Sequence, residues 1–460
     1  MRLIFVHGWS VTNTGTYGGL PSALSTAARQ NNLELDVHHI YLGRYISFHD
    51  EVTVDDISKA MDQALRELPE NSKSRIVPFS CITHSTGGPV VRHWIDSFYG
   101  AQGLKKLPLK HLVMLAPANH GSTLAKLGKE RIGRIKAWFN GVEPGQKVLD
   151  WLCLGSNGEW SLNKKYTEYS YAGNGFFPFV LTGQKIDRKF YDFLNSYLKE
   201  PGSDGVVRVS GANMNYRFFT LTQSRDNIIR KSPLTYRLLP EDGVTIPDHM
   251  PIGVYNIYSH SGKDIGIMRS IKPADTEAPI VRDIIKCLKV TTEKSYKKRS
   301  GELAELTLKE QAGSDKYSMI VFSVKDNTGR QIGKNDYDLF LLAGKGYKPD
   351  QLPSGFFIDR QMNDNTGRLV YYLDADKMSQ IKGGKFGIRI VVRPSKGFSY
   401  YCAGEYHSDD TGIQDILAPN ETTYVEIILH RYIDKNVFRF GPADEGVIDF
   451  KKIKPSGETI

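Results

Sequence analysis

The sequence predicts an α/β chain: a mostly parallel sheet flanked by helices over residues 1–290, followed by a β-rich region over 301–460. Three observations predict it. Short apolar runs alternate with amphipathic segments through the first part, as βαβ units around a parallel sheet require. A stretch rich in Lys, Ser and Arg, residues 291–300, then reads as a linker. Beyond it, runs rich in Val, Ile, Tyr and Phe are separated by Asn, Asp and Gly turns, the pattern of an all-β, sandwich-like domain. A length of 460 residues also exceeds what one core comfortably serves.

The elements follow in order. Leu3–Val6 reads as a buried strand, Leu20–Arg29 as a helix and Leu35–Tyr41 as a strand. Within Asp55–Leu68, the residues Ile57, Met61, Ala64, Leu65 and Leu68 fall on one helical face. Arg75–Ile82 is a strand, Pro89–Phe98 a helix, and His111–Leu115, Pro178–Leu181 and Val254–Tyr258 are further strands. Pro279–Cys287 is the last helix of this part. Past the linker, strands are expected at Leu303–Leu308, Ser318–Val324, Asp338–Leu342, Leu369–Leu373, Phe386–Val392 and Thr423–Leu429. Asp-Asn-Thr-Gly-Arg occurs at 326–330 and again at 364–368, which reads as hairpin chemistry rather than a duplicated unit. Asp336, Asp338, Asp409 and Asp410 read as solvated turn residues, with calcium binding as the alternative.

Composition excludes several classes. Hydrophobic residues make up 40% and charged residues 24%, an ordinary globular balance. No apolar run approaches the ~18 residues that cross a bilayer. The first residues run from an apolar strand straight into His7-Gly8-Trp9, without the parts of a cleaved leader. A cytoplasmic protein, or one exported by a one-step secretion system, is expected. Cys81, Cys153, Cys287 and Cys402 are scattered, so neither a disulfide scaffold nor a zinc site is expected. The net charge of +9, from 60 Lys+Arg against 51 Asp+Glu, permits attraction to an anionic surface. Without a recognition motif it gives no case for nucleic acid.

The chemistry is concentrated in four segments. An apolar strand runs into Thr83-His84-Ser85-Thr86-Gly87-Gly88 and then into an amphipathic helix. This is the pattern of a nucleophile elbow, a strained turn that lifts a serine hydroxyl clear of the sheet edge. Small residues two before and two after the serine let the backbones approach, and Thr83 departs from the usual glycine. Val6-His7-Gly8-Trp9 closes the first strand, and Leu115-Ala116-Pro117-Ala118-Asn119-His120-Gly121-Ser122 follows a later one. Ser203-Asp204-Gly205-Val206-Val207 supplies an acid, and His260 a base directly after the Val254–Tyr258 run. The order Ser, Asp, His is that of this elbow's usual partners. His249, in a loop before that run, is the rival base.

Taken together, these segments resemble the α/β-hydrolase lipases, especially bacterial lipases and phospholipases, over roughly Met1 to Lys289. The resemblance implies a serine esterase acting on lipid esters with Ser85 as nucleophile, Asp204 as acid and His260 as base. It further implies that the backbone N–H groups of Trp9 and Thr86 form the oxyanion hole. His7, Gly8, His84, Gly87 and Gly88 would shape the elbow and its surroundings. No metal or organic cofactor is implied. The Ala116–Ser122 segment is similar to a Thr-Pro-x-x-Gly-Ser segment of lipases, with alanine for threonine and one extra residue. The β-rich region carries no such resemblance, and its partner is unknown.

Between about 121 and 173 the chain inserts about fifty residues where a shorter connection would serve. Trp138, Phe139, Trp151, Leu152 and Trp160 lie there, beside the basic cluster Lys126, Lys129, Arg131, Arg134 and Lys136. An aromatic and basic segment suits a lid that meets an anionic membrane surface, with a capping subdomain as the alternative. Two other functions stay open: a small-ester or other acyl hydrolase on the same scaffold, and a non-catalytic module that binds lipid or protein through the β-region.

Overall fold

The computed structural model describes residues 1–7, 14–41, 49–72, 75–125, 145–187, 200–393, 399–409 and 416–433. Strands β1 (Arg2–Val6), β2 (Asp36–Ile40), β3 (Phe79–His84), β4 (Leu109–Leu115) and β5 (Phe177–Gly183) lie parallel. A long antiparallel hairpin, β6 (Tyr216–Lys231) and β7 (Leu234–Thr245), then leaves this sheet, and β8 (Ile252–Tyr255) returns to its edge. The six-stranded order is β2-β1-β3-β4-β5-β8.

The strands inside it, β1, β3, β4 and β5, are buried on both faces, which is why they read as nearly continuous apolar runs, while the edge strand β2 keeps Asp36 exposed and His38 and His39 half-buried. Leu3, Phe5, Ile82 and Val113 face helices α1 (Leu20–Gln30) and, late in the chain, the helix at Pro279–Leu288. Ile4, Val6, Cys81 and Leu112 face α2 (Val54–Arg66) and α3 (Gly87–Phe98). A capping box starts α2: the Thr53 hydroxyl accepts from Asp56 N–H while the Asp56 carboxylate accepts from Thr53 N–H. Trp94 of α3 donates to Asp62 of α2 at 3.0 Å, fixing the two helices together. Helices α4 (Gln146–Leu152) and α5 (Asn157–Tyr166) follow in the insertion, α6 is Pro279–Leu288, and α7 spans Glu293–Glu310.

Helix α7 corrects two expectations at once. The stretch read as a linker, 291–300, is mostly helix, and Leu303–Leu308 is helix rather than strand. Thr292 caps it by accepting from Ser295 N–H. Tyr296 donates to the Pro178 carbonyl, and Leu303 is fully buried among residues of the parallel sheet. The buried stripe is Tyr296, Arg299 and Leu303, and Arg299 occupies an inward position by pairing with Asp283 of α6 at 2.6 Å. A buried arginine in the stripe hides its helical periodicity.

The second sheet has nine strands in the order β10-β13-β15-β7-β6-β16-β9-β12-β11. They are β9 (Tyr317–Asp326), β10 (Tyr337–Ala343), β11 (Phe357–Met362), β12 (Leu369–Asp374), β13 (Phe386–Val392), β15 (Ala403–His407) and β16 (Thr422–Leu429), with the β6–β7 hairpin in the middle. The sheet curls so that its ends meet across one apolar core: Tyr371 of β12 donates to Leu339 O of β10, and Tyr337 donates to Gly367 O. Short strands β14 (Ser399–Tyr400) and β17 (Tyr432–Ile433) pair separately. In the first repeated turn, one oxygen of Asp326 accepts from the N–H groups of Thr328 and Arg330. In the second, Asn363 accepts from Asn365 and Thr366. Both turns are closed by a side chain, but in the second the closing Asn363 stands just before the repeated residues, and Asp364 pairs with Lys334 instead. Asp409 bonds to Tyr347 and Arg237; Asp410 lies outside the described residues.

Candidate active site

At the end of β3 the backbone turns sharply, and Ser85 takes φ +54°, the left-handed region. Its N–H donates to Leu115 O of β4 at 3.0 Å, which holds the turn against the sheet. Glycine follows because there is no room for more. A β-carbon on Gly87 would stand 3.2 Å from the Thr83 β-carbon, and one on Gly88 would stand 2.8 Å from the β-carbon of Pro117. Threonine at 83 is thus accommodated by the bare backbone of Gly87 opposite it. Thr86 is the N-cap of α3, so the helix's unsatisfied N–H groups and positive end face the serine.

The loop after β8 brings His260 to this turn. His260 Nε2 lies 3.0 Å from Ser85 Oγ, and Nδ1 lies 2.9 Å from Asp204 Oδ2. Asp204 is fully buried, and its other oxygen accepts from the N–H groups of Val206 and Val207 at 3.0 and 2.8 Å. His260 N–H also donates to the Asp204 carbonyl, so the two residues are bound through backbone as well as side chain. His84 Nε2 donates to the His260 carbonyl at 2.9 Å, its ring 4.6 Å from the His260 ring. Burial, and then the neighbouring His260, hold the His84 imidazole far below the usual histidine range. It stays neutral, and a positive charge forming on His260 meets no like charge there.

Ser122 Oγ donates to Val206 O, joining the His120-Gly121-Ser122 segment to the acid loop. His120 sits deeper, between Tyr424 Oη and Asn213 O, and burial lowers its pKa to about 3. His7 approaches His39 at 2.8 Å, with its pKa lowered to about 4 by burial and then by His39. The rival base His249 pairs with Ser300 at 2.8 Å and takes no part in the Ser85 cluster. Gly8, Trp9, Trp138, Phe139 and the basic cluster 126–136 lie outside the described residues.

The remaining insertion residues depart from an exposed lid face. Leu152 is buried, and Trp160 packs edge-on against Phe218 and Tyr424 with the Arg368 guanidinium 4.5 Å from its ring. Both are covered by protein, Trp160 because α5 lies against the nine-stranded sheet. Trp151 is half-buried, and a β-carbon on Gly158 would collide with its indole. Among the described residues no group of three His, Cys, Asp or Glu could hold a metal ion, and no helix is long and apolar enough to cross a membrane.

The parallel sheet with its serine turn, and the helices on both faces, define the chain as a carboxylic ester hydrolase of the α/β-hydrolase fold. Phospholipase PlaB from Legionella pneumophila is similar to it over 100% of this chain and 99% of that one, at 44% identity and a TM-score of 0.88. The same phospholipase in complex with thio-NAD matches at 43% identity and a TM-score of 0.86, over 100% of both chains. The chain belongs to the PlaB phospholipase family. No protein-family model and no curated protein sequence matches it.

Proposed function

We propose that the chain is a phospholipase of the A type that cleaves carboxylic esters of phospholipids through Ser85, Asp204 and His260. The observation that carries this reading is the hydrogen-bonded chain Ser85 Oγ, His260, Asp204, set at the mouth of a left-handed turn in a relative of PlaB. His260 Nε2 takes the proton from Ser85 Oγ as the oxygen attacks the ester carbonyl. The N–H groups of Thr86 and Trp9 receive the oxyanion, each worth about 2.7–4 kcal/mol of barrier lowering. Asp204 keeps Nδ1 protonated and offsets the imidazolium charge. His260 then returns the proton to the leaving lysophospholipid oxygen, and water, deprotonated by the same nitrogen, releases the fatty acid.

The substrate is met at an anionic membrane surface, for which the net charge of +9 supplies attraction. The interfacial contact is assigned to Trp138, Phe139 and the basic cluster, since Leu152 and Trp160 are taken up by the core. The test is fatty acid release from phospholipid vesicles, with and without anionic lipid, by wild type and Ser85→Ala, followed by mass spectrometry. Release by wild type alone, faster on anionic vesicles, is expected. A wild type that reacts with a fluorophosphonate yet frees no fatty acid would be a serine hydrolase of another ester.

A further inference from the structure

The acid loop rests on the C-terminal sheet. Strand β12 sends two adjacent tyrosines to opposite sides. Tyr371 donates to Leu339 O within the nine-stranded sheet at 2.8 Å. Tyr372, fully buried, points the other way and donates to Pro201 O at 2.8 Å, with Gly202 O at 3.3 Å. Those carbonyls lie just before Asp204. The approach is close enough that a β-carbon on Gly202 would stand 2.3 Å from the Tyr317 ring and 2.7 Å from Tyr372 Oη.

On the other side of Asp204, Arg208 extends a guanidinium only 2% exposed over the Tyr372 ring, 4.1 Å from its centroid. It grips Glu200 through two nitrogens at 2.9 and 2.7 Å, and Asp359 of β11 at 2.5 Å. The Glu200–Arg208 pair thus closes the ends of the loop into a ring with Asp204 inside it. Val209 N–H bonds Gly202 O and tightens the same ring. One planar cation serves two carboxylates and a ring face at once, which a lysine does not reproduce.

Among the described residues Asp204 Oδ1 accepts only from N–H groups of its own loop, so the direction of Oδ2 toward His260 follows the loop's placement. We propose that Arg208, Tyr372 and Asp359 are positioning residues for the esterase reaction: the C-terminal sheet sets the catalytic acid from outside the hydrolase core. The inference rests on the triad reading above. An ångström of misplacement in such a site costs roughly 100-fold in rate, so partial loosening is expected to cost about tenfold.

The experiment compares kcat and KM on phospholipid vesicles for Tyr372→Phe, Tyr371→Phe, Asp359→Asn and Asp204→Asn, and for Tyr372→Phe combined with Asp204→Asn. Tyr372→Phe keeps the ring beneath Arg208 and loses only the hydroxyl; Tyr371→Phe loses a bond of the same kind and length on the other side of the strand. The expected result is a fall of about tenfold in kcat for Tyr372→Phe and Asp359→Asn, with KM unchanged and Tyr371→Phe near wild type. In the Asp204→Asn background the Tyr372 effect disappears, because the group it positions is gone. Thermal melts of each variant confirm that the folded fraction is unchanged. Equal effects of the two tyrosine changes, or an undiminished penalty in the Asp204→Asn background, overturn the proposal alone. Full activity of Asp204→Asn overturns the triad reading, and the positioning role with it.

Discussion

Ser85 holds a backbone conformation that costs a non-glycine residue of order 1–3 kcal/mol, and it persists because its surroundings leave no alternative. Leu115 O receives its N–H, and the bare backbones of Gly87 and Gly88 press on Thr83 and Pro117. This much was readable in the sequence, since strand, serine, glycines and helix lie within twenty residues. Asp204 and His260 were indicated by their order along the chain, by the Ser-Asp-Gly-Val-Val segment and by a place directly after an apolar run. Arg208 and Tyr372 were not, because Arg208 finds its partner Asp359 151 residues away and no local pattern announces it. Glu159 escaped notice for the same reason. It is buried on α5, and neither carboxyl oxygen makes a well-formed hydrogen bond, although Gly121 N–H and the Arg92 guanidinium lie near. Burial drives its pKa far above the ordinary value, against the smaller opposing pull of Arg92. The unfolded chain releases this proton above about pH 4.3 while the folded chain retains it, so folding stability declines as pH rises through that window. Glu159→Gln, which has the same shape and no proton to lose, is expected to melt higher than wild type at pH 8. Its advantage should shrink toward zero near pH 4, as melting curves at several pH values would reveal; a gap independent of pH would contradict the assignment.

Among the elements, the strands of the parallel sheet and helices α1, α2, α3 and α6 appear where their apolar spacing indicated, within a few residues at the ends. Two failures have physical causes. Helix α7 presents Tyr296, Arg299 and Leu303 inward, and the arginine breaks the apolar stripe that would have identified it. The β6–β7 hairpin leaves little sequence signal because only its inner half alternates: Phe219, Leu221 and Leu238 are buried there, while Ile228 and Leu234 nearer the tip are exposed. The assignment of α7 to the hydrolase core has a direct consequence. Leu303 contacts the parallel sheet so closely that a β-carbon on Gly253 would stand 2.8 Å from it, whereas Leu308 is 68% exposed. Leu303→Ala is expected to lower unfolding free energy by about 2–5 kcal/mol, and Leu308→Ala to change it by less than about 0.5 kcal/mol. Urea titrations of the two variants measure both. Equal, small effects would mean that α7 is a tether and not part of the core.

For the whole molecule, composition placed a boundary near residue 290, yet the nine-stranded sheet crosses it. Strands β6 and β7 leave the hydrolase between Asp204 and His260, and they pair in parallel with β16 and β15, whose residues come after 400. Pairing between segments some two hundred residues apart leaves no local trace, so a boundary drawn from composition could not register it. Phe219, Leu221 and Leu238 from the hairpin lie in the same apolar core as Phe322, Ile388 and Val425. Removing the C-terminal region would therefore expose that core surface and two long strand edges, a template for aggregation. Removing the hairpin would split the second sheet at its centre. The two sheets are thus expected to unfold together, in spite of a chain length at which separate domain transitions are common. In a urea titration of the full chain, the midpoint followed by far-ultraviolet circular dichroism should coincide with the midpoint for loss of esterase activity. The two acid–base partners flank the hairpin, so melting of the β-region would carry the loop of Asp204 and the approach to His260 with it. Two separated transitions, with activity surviving the first, would show that the parallel sheet and its catalytic loops stand without the sheet beside them.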